Sequence, residues 1–137
     1  MKKLIITVTL ILFAGITYGQ SLQKGNLIGI HVFSIDLDPN VTMNQWQDFF
    51  ANKVIPEMDK HFPDLKHYFT KGIRGEDKNY IGLIVLYESK EIKNKYYNED
   101  GSRTEFGNSV YEKLQPTLEE LYKLGTVTAE YTDWVIQ

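Results

Sequence analysis

The sequence predicts an α+β fold in the order β-α-β-β-α-β, a four-stranded antiparallel sheet with helices on one face, and three observations predict it. Residues 27–37 and 80–88 are β-branched and apolar on both faces, as central strands are. Two longer stretches carry apolar residues at spacings of three and four, as helices with one buried face do. A single glycine-rich, charged connection at 72–79 joins two strands, which leaves one hairpin and two helical crossovers, the ferredoxin-like split βαβ arrangement.

The first twenty residues read as an export signal. Lys2 and Lys3 precede an apolar run from Leu4 to Ile16, and Thr17 and Gly19 supply small residues at −3 and −1 of a cleavage site before Gln20. We therefore expect residues 1–19 to be a signal peptide, 20–25 a short leader and 26–137 one domain. The expected location is periplasmic or secreted, with no membrane insertion after cleavage. Loss of two lysines with the signal would move the net charge from −3 to −5.

Within the domain, Leu27–Leu37 forms the first strand, stopped by Asp38-Pro39-Asn40. Thr42 and Gln45 fit a capping box, so a helix starts there, and Met43, Trp46, Phe50, Val54, Met58 and Phe62 mark its buried stripe through an expected kink at Pro56. Pro63-Asp64 turns the chain into a second, more polar strand, 65–73, suited to a sheet edge. The third strand is 80–88. Ser89 then caps a short helix, and Thr104 caps a longer one that buries Phe106, Val110, Leu114, Leu118, Leu121 and Leu124 before a left-handed cap at Gly125. Residues 126–136 form the last strand.

Two helices cover only one face of such a sheet. Parity puts Ile81, Leu83, Val85 and Tyr87 on one face of the third strand and Tyr80, Ile84 and Leu86 on the other, so whichever face stays open carries large apolar side chains. That is more apolar surface than a soluble monomer ordinarily exposes, so a homodimer is expected. With its apolar open sheet face, interrupted second helix and closing Tyr131-Thr132-Asp133-Trp134 strand, the chain resembles the dimeric α+β barrel superfamily, which includes antibiotic-biosynthesis monooxygenase-like, EthD-like and NIPSNAP-like proteins. The resemblance is architectural. It implies two sheets face to face and a pocket inside the barrel or between each sheet and its helices, and it carries no catalytic residue over.

Composition narrows the chemistry. The 137 residues contain no cysteine, which excludes thiolate catalysis, disulfides and cysteine-ligated zinc. Fifteen basic against eighteen acidic residues argue against nucleic acid as a partner. No two histidines stand at metal-ligand spacing, and Asp36–Asn40 imitates a calcium loop without its glycine or its closing glutamate, so neither metal nor cofactor is expected.

Candidate acid–base groups are His31, between Gly29 and Phe33, and His67 in the second strand, because imidazole titrates near neutrality. His31 is expected to face a ligand cavity rather than the helix layer, with Gly29 leaving open space beside it. His61 fits a helix C-terminus. Tyr131 and Asp133 share one face of the last strand as donor and anchor, and Arg74 in the hairpin is a candidate carboxylate clamp. The expected function is binding of a small, largely apolar organic molecule. The alternatives are a cofactor-independent oxygenase or isomerase using His31, His67, Tyr131 and Asp133, and a structural or interaction protein with a filled barrel.

Overall fold

The computed structural model describes residues 21–137, so the expected signal peptide, 1–19, lies outside the described residues. The elements run β1 (Leu27–Leu37), α1 (Met43–Phe49), a π-helical turn (Phe50–Val54), α2 (Ile55–His61), β2 (Leu65–Lys71), β3 (Ile81–Tyr87), α3 (Lys90–Tyr96), α4 (Glu105–Tyr122) and β4 (Gly125–Val135). The sheet order is β2-β3-β1-β4, with every neighbouring pair antiparallel. This is the ferredoxin-like α+β arrangement.

Helix starts follow local chemistry. Thr42 and Gln45 form the capping box reciprocally, and the Ser89 and Thr104 hydroxyls accept from the backbone N–H groups of Ile92 and Gly107. Pro56 interrupts the helix without ending it, and the interruption takes the form of a π-helical turn. Proline has no N–H to donate and its ring crowds the carbonyl four residues back. The turn before it widens accordingly, and the Ile55 N–H reaches the carbonyl of Phe50, five residues back. The wider turn keeps Trp46, Phe50 and Val54 in the core, where Trp46 stacks on Phe50 at 5.0 Å between ring centroids.

Two expectations at α4 are corrected. Phe106 is 45% exposed, because its place in the first turn sets it over the rim, against Tyr96 and beneath the Lys95 ammonium, and not over the sheet. Gly125 does not cap the helix. Lys123 ends α4 in right-handed geometry, and Gly125 opens β4 where a Cβ would lie 2.5 Å from the Asp36 carbonyl oxygen.

Strand parity assigns the two faces of the sheet. Odd-numbered strand residues face the helices, and Phe33, Leu65, Ile81, Leu83, Val85 and Tyr87 form that side of the core with Trp46, Val110, Leu114 and Leu121. Even-numbered residues form the open face. Its cross-strand rows are Lys66-Leu86-Ile28-Trp134, then Tyr68-Ile84-Ile30-Thr132, then Thr70-Gly82-Val32-Glu130. Ile30, Tyr68 and Trp134 are 39, 50 and 57% exposed there. No helix among the described residues is long and apolar enough to cross a membrane.

Candidate functional site

On the helix-facing side, register sets two polar rows side by side. One reads His67-Val85-Gly29-Asp133 and the next Phe69-Leu83-His31-Tyr131. Val85 and Gly29 are short, so they form a floor, while His67 and Asp133 stand at its ends, about 14 Å apart at the backbone, three strand spacings. Over this floor lies a partly open cavity of about 150 Å³, roofed by Met58 of α2, Lys93 of α3, Tyr97 and Gly101. His31, Leu83, Tyr87 and Tyr131 complete the lining.

His31 therefore corrects the expectation for its orientation. It faces the helix layer, and the cavity lies within that layer, because α3 and the loop after it stand off the sheet. The space beside Gly29 is taken up as well: a Cβ there would meet the Asp133 carboxylate at 3.0 Å and the His31 imidazole at 3.5 Å. The absent side chain lets these two polar groups approach one another over the sheet.

Each polar group at the site has a distinct electrostatic setting. His67 is buried, and its Nδ1 lies 2.9 Å from a carboxylate oxygen of Asp59, which is half-exposed at the end of α2. A carboxylate only accepts, so Nδ1 carries the proton and Nε2 carries the lone pair. No partner for Nε2 occurs among the described residues. Burial pushes the His67 pKa below its ordinary value, with Asp59 opposing the shift. The His31 ring stacks on Tyr131 at 5.5 Å and 23° and has no hydrogen-bond partner among the described residues. Burial also lowers its pKa, Asp133 opposes this, and the nearby His67 adds to it. Both imidazoles are neutral near pH 7.

At the opposite end Lys93 forms an ion pair with Asp133, both largely buried. Burial raises the pKa of the Tyr87 and Tyr97 hydroxyls, so they stay protonated as donors. The site thus combines two neutral bases, phenolic donors and one internally balanced ion pair around an apolar floor. No group of three or more His, Asp or Glu side chains that could hold a metal ion occurs among the described residues.

The structure brings His31, His67, Tyr131 and Asp133 to this one cavity. It does not bring Arg74, which is exposed in the β2–β3 connection and absent from the lining, because that connection projects beyond the sheet end. His61 pairs instead with Glu57, one helical turn away, at 3.2 Å. Lys93 on α3 and Tyr97, the extended residue that follows it, were not foreseen, since only the turn out of that helix brings the phenol back over the sheet. Asp59 carried no sequence signal, since only the α2–β2 turn brings it to His67.

Fold and site together define a ferredoxin-like α+β protein with a partly open cavity of about 150 Å³ between sheet and helices, apolar at its floor and polar at its ends. No protein-family model and no curated protein matches the chain. Among solved structures it is similar to SnoaB, a cofactor-independent oxygenase from Streptomyces nogalater, at 14% identity and a TM-score of 0.42, over 82% of this chain and 94% of that one. A likeness at that level says nothing of this chain's chemistry.

Proposed function

We propose that the protein is an exported binder of a compact, largely apolar organic molecule, held in the cavity beneath α3. The observation that carries the reading is His31, an imidazole set in a cavity of about 150 Å³ with no hydrogen-bond partner among the described residues. The ring is part-buried at the edge of open space, so a ligand with a matching polar group can take the place of water on its nitrogens while covering the apolar floor. A cavity of this size matches a single ring, benzene being the reference occupant. Mass spectrometry of what co-purifies with the native protein tests this. An empty cavity, with no binding in a fragment screen, refutes it.

One observation favours a second reading, in which the bound molecule is also transformed. The Asp59–His67 pair has the form of an oriented general base, as an isomerase or a cofactor-independent oxygenase would use. Turnover of the co-purified ligand, abolished in His67→Gln, is its test.

A second copy of the chain completes the assembly in this proposal. The open face exposes Ile30, Tyr68 and Trp134 around Ile84 and Leu86, and apolar burial against an identical sheet is the simplest cover.

A further inference from the structure

The charges around the cavity restrict what can enter it. Lys93 is the cation among its lining residues, and it is already paired with Asp133. Asp59 stands behind His67 with a further negative charge. An incoming carboxylate or phosphate would find no unpaired cation among the lining residues and two carboxylates nearby, a mismatch that the partly open mouth screens only in part. An uncharged molecule meets no such mismatch. At the far end from Lys93 it meets His67 Nε2, a lone pair held by a ring that cannot turn away without losing Asp59.

We infer that the cavity takes a neutral, single-ring-sized weak acid, a phenol or an enolisable cyclic ketone, and that His67 removes its acidic proton. The inference rests on the reading of this cavity as a ligand site and adds the class of ligand and the direction of proton transfer. In the step, the O–H or α-C–H bond breaks, its electron pair stays on the ligand as phenolate or enolate, and the proton moves to Nε2. The imidazolium that results is held by Asp59 through Nδ1. The new anion lies against that imidazolium, so charge separates only over contact distance. Asp59 acts through His67 as a positioning residue, and its half-exposed location allows its own charge to be removed with little disturbance of the core.

The probe is 4-nitrophenol, whose neutral and ionised forms absorb at different wavelengths, so that one titration reads both affinity and protonation state. Its charged counterpart of similar size is 4-nitrobenzoate. With the wild-type chain, at a pH about one unit below the probe's own ionisation, where about nine-tenths of the free probe is neutral, binding should raise the phenolate band. His67→Gln should bind the probe as neutral phenol. Asp59→Asn, with an unchanged melting profile, should lower the bound phenolate-to-phenol ratio about tenfold, the loss of one carboxylate beside the imidazole. 4-Nitrobenzoate should bind about tenfold more weakly than the phenol, or worse.

Binding as neutral phenol by the wild type, phenolate persisting in His67→Gln, or preference for 4-nitrobenzoate would overturn the inference and leave the cavity standing as a binding site. Failure of both probes to bind, with no effect of a cavity-filling Val85→Phe variant on any co-purified ligand, would overturn both.

Discussion

The Tyr131 hydroxyl lies where a Cβ on Gly101 would have to be. Gly101 has φ +83°, a conformation in which other residues are strained, and it sits in the loop that roofs the cavity. Backbone strain and the tyrosine contact therefore act at one residue. Gly101→Ala should cost about 1–2 kcal/mol from the left-handed backbone, seen as a lowered Tm. It should also tilt Tyr131 off the His31 ring and weaken ligand binding. A variant with unchanged Tm and unchanged affinity would show that the loop does not set the tyrosine.

The two cavity histidines fix the sign of the acid response. Their folded-state pKa values lie below the unfolded value of about 6.5, so the unfolded chain binds more protons once the pH falls below that value. Their stabilising contribution is complete above about pH 6.5 and is lost as the pH drops toward the folded-state values. Denaturant titrations from pH 7.5 to 5 should show falling stability, and the double variant His31→Gln/His67→Gln should flatten the slope. An equal slope in that variant would assign the acid response to other groups.

Leu83 and Ile84 are adjacent on β3 yet face opposite ways, Leu83 toward the helices and Ile84 toward the open face. Asp at Leu83 places an unpaired carboxylate in the core at a cost of several kcal/mol and should prevent folding. Asp at Ile84 should give a folded monomer by light scattering, whereas the wild type should give twice the chain mass at low and high salt. A wild-type monomer at all concentrations would remove the proposed dimer.

The same face carries a finer expectation. Lys66 and Glu130 stand at diagonally opposite corners of its three rows, so a two-fold axis along the other diagonal sets each over its opposite on the partner copy. Lys66→Glu and Glu130→Lys should each weaken the dimer, by about 0.5–1 kcal/mol per rim pair, and the double swap should restore it. Additive weakening would exclude the crossed packing.

Most of the sheet was legible because its signals are local. The bounds of β1 follow from Gly25-Asn26 and Asp38-Pro39, and the helix starts from the residues that cap them. Parity alone put Tyr131 and Asp133 on one face. Their neighbours across the sheet were not legible, because the pairing of His31 with Tyr131 joins positions one hundred residues apart and depends on where two crossovers end. Asp59 escaped for the same reason at short range. It sits on an exposed turn of α2, and nothing in its sequence surroundings distinguishes it from any solvated aspartate until β2 folds back. The widened turn at Phe50–Val54 is a third case, in which Pro56 announced an irregularity without saying which kind.

The polar groups that the sheet gives the cavity all stand at odd positions of its strands, which makes the site a matter of counting. Removing one residue between Thr126 and Ala129 while β4 keeps its pairing with β1 would turn Tyr131 and Asp133 out to solvent and bring Thr132 and Trp134 in over Gly29, where an indole has no room. Relatives of this chain should therefore vary in length at the β2–β3 connection and in the 98–102 loop while holding the length of β1 and β4 fixed. Aligned by strand length alone, such sequences would bring the positions of His31, Tyr131 and Asp133 into register.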